Sequence, residues 1–372
     1  MNLIYSGFDT IIFAVKGAAK PSTIMQLKLY KERAAEKQSD MAISFAGNSL
    51  QGLIAPTGMR GGYAYVLKLG GDLGHVISLK NNLNPNFWNI HVKIRALSLA
   101  CYGWEGALSR VMSDLETIGI SNHEISLHRI DYAMDVLNAG IELNPAHFVA
   151  HSRVTKAAHK LEQNSYSRGQ ICESVTLGKM PGKQIIVYDK RREAIEKRKP
   201  AWFEIWGIDP KDITQTVHRI EIRLGKNELV KFDIRTIDDL RNRVNIFMTR
   251  AVHVVRYVKP THDKNISRWP NHPLWDHVQR HVKDQLLRNT HEVDIARVKH
   301  VIRAQKALES QKQIIGNMAG YSVFADMDPD HMKAQMIKFI EQQFSHIEAT
   351  DTHPFWASRA KTQDRFAFIA EE

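Results

Sequence analysis

A tyrosine followed at once by an acid, a lysine and two arginines is the stretch of this sequence best equipped for chemistry: Tyr188-Asp189-Lys190-Arg191-Arg192. It closes the run from Gly182 through Lys183, Gln184, Ile185, Ile186 and Val187, where Pro181-Gly182 reads as a turn and the apolar residues as a short strand. Side chains alternate across a strand, so Tyr188 and Lys190 share a face with Gln184 and Ile186, and Ile185 and Val187 point the other way. A phenol has a pKa of about 10 and is a poor nucleophile near neutrality. Flanking cations are expected to favour the phenolate and to attract a phosphate.

Two further strands carry the same combination. In Leu127-His128-Arg129-Ile130-Asp131-Tyr132-Ala133-Met134-Asp135-Val136, the residues Ile130, Tyr132, Met134 and Val136 make an apolar face, opposite Arg129, Asp131 and Asp135. In Val217-His218-Arg219-Ile220-Glu221-Ile222-Arg223-Leu224, the residues Ile220, Ile222 and Leu224 face a core, opposite Arg219, Glu221 and Arg223. If the three strands share a sheet, one surface gathers three carboxylates, a tyrosine, a lysine and several arginines. Metal-assisted attack on a phosphodiester needs such a set: oxygens for a hard cation, a nucleophile, and positive groups for the developing charge. The competing reading is an antiparallel sheet with a salt-bridged solvent face.

The positioning elements follow from patterning. A first strand is predicted within residues 3–15, then a helix from Pro21 to about Gln38 with Ser22 as cap, and glycine-rich hairpins from Gly47 to Val76. A strand is expected from Trp88 to Ala100 and a helix from Trp104 to Ile118, closed by Gly119. Pro145 is expected to open a helix holding His147, His151 and His159. A hairpin joins Ser174–Leu177 to Gln184–Lys190, and a basic helix runs from Lys190 to Pro200. Thr236 to about Val258 reads as helix and Pro260 to Pro273 as a connection. Helices follow at 272–289, 292–318 and 329–346. The sum is an α+β fold: a curved, mainly antiparallel sheet with helices on one face, then a small all-helical C-terminal region. The expected boundary divides a catalytic domain at 1–262 from a helical, DNA- or partner-binding domain at 263–372.

Other motifs fall away on spacing. Gly70-Gly71-Asp72-Leu73-Gly74 is turn chemistry, not a dinucleotide fingerprint, and Gly178 with Gly182-Lys183 lacks the spacing and hydroxyl of a phosphate loop. His147/His151 and His277/His281 sit four apart without a glutamate after the first histidine, and are read as surface or structural residues. With 51 Lys and Arg against 40 Asp and Glu the formal charge is +11, and the pI is near 9.5. Such a balance favours a polyanionic partner. No apolar run approaches the roughly 20 residues of a membrane span, and the N-terminus lacks a signal-peptide pattern. Only Cys101 and Cys172 are present, outside any paired motif, which fits a reducing cytoplasm and argues against a disulfide framework.

The three strands in this order resemble the rolling-circle replication initiation factor family, which includes plasmid and phage initiators and some conjugative relaxases. The matching pieces are Arg129-Ile130-Asp131-Tyr132-Ala133-Met134-Asp135, Val187-Tyr188-Asp189-Lys190 and Arg219-Ile220-Glu221-Ile222-Arg223, joined by Gly7-Phe8-Asp9-Thr10, Trp269-Pro270 and His272-Pro273-Leu274-Trp275. The resemblance implies a site- and strand-specific DNA nickase and ligase. Tyr188 would attack the scissile phosphate and retain the 5′ end as a phosphotyrosyl ester, leaving a 3′ hydroxyl to prime synthesis. Asp131, Asp135 and Glu221 would hold Mg²⁺ or Mn²⁺, and Lys190, Arg219 and Arg223 would offset transition-state charge. Arg129, Lys183, Arg191, Arg192, Lys197 and Arg198 are the expected contacts to the DNA backbone. None of the 18 histidines forms a His-x-His pair, consistent with a carboxylate site. The C-terminal helices are candidates for binding duplex origin DNA, a host helicase or a second copy of the chain. Two other functions compete with the nickase: a non-catalytic sequence-specific DNA-binding protein, and a metal-dependent nuclease in which water attacks.

Overall fold

The computed structural model describes residues 1–120, 124–150, 163–168, 171–284, 286–287, 293–350 and 352–369. In chain order the first half is β1 (Asn2–Lys16), α1 (Pro21–Glu36), β2 (Met41–Phe45), β3 (Leu50–Ile54), β4 (Tyr63–Leu69), β5 (His75–Lys80), β6 (Trp88–Ile94), α2 (Ala96–Ile118), β7 (Glu124–Leu137), β8 (Phe148–Ala150) and β9 (Gln163–Arg168). Then come β10 (Ile171–Gly178), β11 (Lys183–Asp189), α3 (Lys190–Glu196), α4 (Ala201–Trp206), β12 (Val217–Gly225), α5 (Lys226–Lys231), α6 (Ile237–Val254), β13 (Val255–Tyr257) and α7 (Pro273–Asp284). The chain finishes with α8 (Ile295–Phe324), α9 (Met332–Glu348) and α10 (Pro354–Arg365).

The fold is α+β. Eleven strands form one open sheet in the order β2-β3-β4-β5-β6-β1-β7-β12-β11-β10-β9, and every pairing in it is antiparallel. The three strands singled out by composition are neighbours, β7-β12-β11, with β1 on the far side of β7. Strict alternation explains this: Ile130, Tyr132, Met134, Val136, Ile220, Ile222, Leu224, Ile185 and Val187 all enter one core. A one-residue slip would turn every one of them into water. Helices α1, α2, α5, α6 and α7 pack on that core through residues such as Leu27, Leu115, Leu229, Phe247 and Trp275. A second, smaller cluster covers part of the other face, where Trp202, Phe203, Ile205 and Trp206 of α4 meet Tyr5, Ala133, Val217 and the start of α8 at Val298 and Ile302.

Local signals moved several boundaries. Helix α1 starts at Pro21 with Lys20 as N-cap, so Ser22 lies inside it and makes no cap. The strand expected to reach Ala100 stops at Ile94, and the helix starts at Ala96 with a break at Gly103, whose φ is 67°. Pro145 opens only a short 3₁₀ turn to His147, because Phe148 and Val149 pair with Tyr257 and Arg256 in a two-stranded ribbon. That pairing also ends α6 early, at Val254. His151 and His159 lie outside the described residues. The hairpin β10–β11 forms as expected, and Gly178 at its corner (φ +86°) admits no Cβ, which would lie 2.1 Å from the Lys183 carbonyl.

Beyond residue 262 the chain stays packed on the sheet's core. Leu274, Trp275, Val278 and Val282 of α7 are buried in it, and Trp275 Nε1 donates to the Val252 carbonyl at 2.8 Å. His281 is buried with Nε2 3.4 Å from the Tyr132 hydroxyl, a structural role. Among the described residues no helix is long and apolar enough to cross a membrane.

Candidate active site

The polar residues of β7, β12 and β11 meet in registered rows on the sheet face opposite the main core. Tyr188 pairs with Arg219, Arg219 with Asp135, and Asp135 with Tyr5 of β1. One row along, Ile186, Glu221, Ala133 and Gly7 align, and the next row brings Gln184, Arg223, Asp131 and Thr10 together. Small residues at Ala133 and Gly7 keep the floor low. A Cβ on Gly7 would lie 3.0 Å from the Tyr5 hydroxyl oxygen.

Arg219 is the most constrained group. It is 0% exposed, its Nε and Nη2 donate to Asp135 Oδ1 and Oδ2 at 2.6 and 2.7 Å, and its Nη1 donates to Asp9 Oδ1 at 2.5 Å. The guanidinium lies over the Trp202 ring, 4.3 Å from its centroid. Trp206 Nε1 also donates to Asp135 Oδ2 at 2.8 Å. This two-pronged, stacked arrangement fixes a permanent positive charge beside Tyr188, and its paired acids push the guanidinium pKa still further up against the cost of burial.

Tyr188 donates from its hydroxyl to Glu221 Oε2 at 3.3 Å. Burial raises its pKa well above 10, and this outweighs the lowering effect of Arg219; Glu221, Asp9 and Asp135 raise it further. Arg219 thus favours the phenolate, as expected of a flanking cation, but less than burial disfavours it. The desolvated phenol keeps its proton and has a carboxylate positioned to take it. Lys190, the first residue of α3, is buried, with Nζ 5.7 Å from the Tyr188 ring centroid and 4.9 Å from that of Trp202. Burial, with Arg219 nearby, brings its pKa down to about 8, although Nζ donates to Glu193 Oε2 at 2.7 Å. The strand gives way to helix here because Asp189 caps α3, accepting from the Arg192 backbone N–H at 2.9 Å.

A cleft of about 520 Å³ opens over this floor. Its lining includes Asp9, Tyr188, Lys190, Glu221 and Arg223 together with Tyr166, Glu173, Arg192, Lys197 and Lys199. The expected DNA contacts divide accordingly. Arg192 and Lys197 line the cleft, tethered to Glu173 and Glu193 at 2.7 and 3.0 Å. Arg129 is engaged by Asp131, with Nε–Oδ1 at 2.8 Å and Nη2–Oδ2 at 2.7 Å. Arg191 donates to the Pro210 and Asp212 carbonyls and so braces the loop after α4. Arg198 lines a second cavity with Trp202 and Ile302. Lys183 falls on the wrong side of its strand: alternation places it with Ile185 and Val187, 6.0 Å from the Phe247 ring of α6.

The carboxylates proposed for a metal are each matched to an arginine. Asp135 has both oxygens engaged by Arg219 and Trp206, which suits an anchor for Arg219 and does not suit a metal ligand. Asp131 is held by Arg129, and Glu221 by Arg223 Nε at 2.6 Å. Among the described residues no group of three or more His, Cys, Asp or Glu side chains is set out as a metal cage. Asp131 and Glu221 do fit a hard cation as oxygen donors. Burial foremost, with the charge of Glu221 adding to it, pushes the Asp131 carboxyl up to about 6, a strain that a bound cation relieves.

Three site residues escaped the sequence reading as chemistry. Asp9 is the extra residue of a bulge between Phe8 and Thr10, and its signal was the break in alternation: Phe8 and Ile11 both face the core, so the two residues between them turn outward. Trp202 and Trp206 lie between Pro200 and β12, a stretch with no polar pattern of its own to mark them as the bed of a buried arginine.

No family model matches the sequence, and no curated protein matches it. A solved structure of a rolling-circle replication initiator protein from Geobacillus stearothermophilus is similar over 78% of this chain and 100% of its own, at 12% sequence identity and a TM-score of 0.44. Likeness at that level assigns no activity, and the chemistry has to come from the residues of the site itself.

Proposed function

We propose that this chain nicks and rejoins one DNA strand by transesterification at Tyr188, as the sequence motifs imply for initiators of rolling-circle replication in phages and plasmids, with conjugative relaxases sharing the chemistry. The observation that carries the proposal is the Tyr188 hydroxyl donating to Glu221 in a cleft lined by both acids and cations, beside an arginine locked by two acids. In the forward step the Tyr188 oxygen bonds to the scissile phosphorus and its proton passes to Glu221. The P–O3′ bond breaks, and the departing oxygen takes a proton from solvent water in the open cleft, leaving a 3′ hydroxyl and a 5′-phosphotyrosyl ester. Arg219 cannot leave, so its charge is available as the phenol oxygen loses its proton, without reorganisation cost. Arg223 and the protonated Lys190 face the cleft and counter charge on the phosphate oxygens. Mg²⁺ or Mn²⁺ held by Asp131 and Glu221 would supply Lewis-acid neutralisation of the phosphate. Rejoining reverses the step: the ester conserves the energy of the broken bond, so no nucleotide is consumed.

A second reading draws on the arginine matched to each of Asp131, Asp135 and Glu221: the same surface would bind DNA without cutting it. One assay separates these and a water-attacking nuclease. Supercoiled DNA is incubated with Mg²⁺ or Mn²⁺ and resolved on a denaturing gel that detects protein-linked DNA. The nickase gives an adduct that Tyr188→Phe abolishes while DNA binding persists. Cleavage without an adduct would leave water as the nucleophile, and binding without cleavage would leave a recognition protein.

A further inference from the structure

Away from the cleft, on the same sheet face, three partly exposed rings stand in a row from β4 to β7. Tyr63 and His91 have centroids 5.5 Å apart at 58°, and His91 and His128 are 6.3 Å apart at 56°. Their placement is built in by the backbone. Leu127 and Ile130 both enter the core, and β7 slips by one residue against β1 between Ile12 and Phe13. His128 therefore joins Arg129 on the outer face. A second slip, between Tyr63 and Tyr65, sets Tyr63 opposite Lys80. Ala14, which pairs with His91, leaves space beneath the rings. Cations edge the row: Lys80 Nζ lies 5.3 Å from the Tyr63 centroid, Lys226 Nζ is 3.2 Å from His128 Nε2, and Lys93 is exposed two residues from His91. Burial, with Lys93 beside His91 and Lys226 beside His128, holds both histidines below their ordinary pKa, His128 at about 4, so near neutrality both rings are uncharged. Along β7 the row runs through Arg129 and Asp131 to Arg223 and the cleft.

We infer that Tyr63, His91 and His128 form a stacking platform for the bases of single-stranded DNA leading to or from the scissile phosphate. The inference rests on the transesterase reading for its choice of ligand and extends that reading to the strand's path. Flat uncharged rings flanked by lysines take bases of any sequence, since every base has a stacking face and every nucleotide a phosphate. Neither a double helix, whose bases are already stacked, nor an acidic peptide would use the rings.

The test uses the full chain carrying Tyr188→Phe, in EDTA, so that binding is read without cleavage. Fluorescence anisotropy compares a mixed-sequence single-stranded oligodeoxynucleotide with an abasic strand of equal length. Replacing the platform by Tyr63→Ala, His91→Ala and His128→Ala is expected to weaken binding of the intact strand by about tenfold or more. His91→Phe with His128→Phe is expected to retain the parent affinity. The parent should bind the abasic strand as weakly as the ringless variant binds the intact one. Equal affinity of parent and ringless variant for the intact strand would overturn the platform, and so would equal affinity of the parent for intact and abasic strands. The abasic comparison stands even if the triple variant misfolds. Failure here leaves the adduct assay untouched, and absence of an adduct leaves this measurement untouched.

Discussion

At the scale of single residues the site is a contest between burial and charge. Tyr188 sits among cations yet stays protonated, because losing water costs the phenolate more than Arg219 returns. Glu221 is accordingly the group on which the nucleophile depends, and Glu221→Gln is expected to slow adduct formation by about 10²-fold or more. Loss of DNA binding in that variant would point to a structural role instead. Lys190 supplies a pH dependence. Its folded pKa is depressed to about 8, so it is charged below that value and neutral above it, and nicking should decline as pH rises through about 8. Lys190→Arg stays charged at any accessible pH, so its rate profile should move to higher pH. An unshifted alkaline limb would assign the titration elsewhere. On stability the sign is opposite. The unfolded chain keeps the Lys190 proton up to about 10.4, so the cost of burying the ammonium is relieved as pH climbs through about 8.

At the scale of elements, strand irregularities place the chemistry. The bulge in β1 turns Asp9 toward Arg219, and the slip in β7 turns His128 outward. Across regular β7 and β12, the Asp135–Arg219 pair is 0% exposed on both sides. Removing one partner strands the other in a dry setting, so Asp135→Leu is expected to cost about 3 kcal/mol by chemical denaturation, with Asp9 limiting the damage. Asp135→Leu combined with Arg219→Met should regain most of that stability and no adduct formation. If the double variant were no more stable than Asp135→Leu, the pair would not be the coupled unit drawn here.

At the scale of the whole molecule, the first helix after residue 262 belongs to the packing of the sheet. Trp275 is 0% exposed in the same core as Ile130 and Ile220. Trp275→Ala should therefore destabilise the entire chain by about 3–5 kcal/mol in one cooperative transition, visible in thermal unfolding followed at the sheet. A two-step transition with an unaffected first phase would instead show a C-terminal region that unfolds independently. The excess of 51 cationic over 40 acidic residues agrees with a nucleic-acid partner, whose binding should weaken steeply with salt.

The sequence by itself determined the α+β class, the three polar-faced strands and the partition of their side chains, because period-2 alternation is local and survives without knowledge of partners. It also located Tyr188 and the acids and arginines that surround it. Only the tertiary structure decided which acid meets which arginine, that Asp135 anchors Arg219, that Lys183 faces α6, and that Trp202 and Trp206 line the floor. Those outcomes depend on strand register, on bulges and on burial. They arise when distant segments exclude water together, a property that no stretch of residues carries alone.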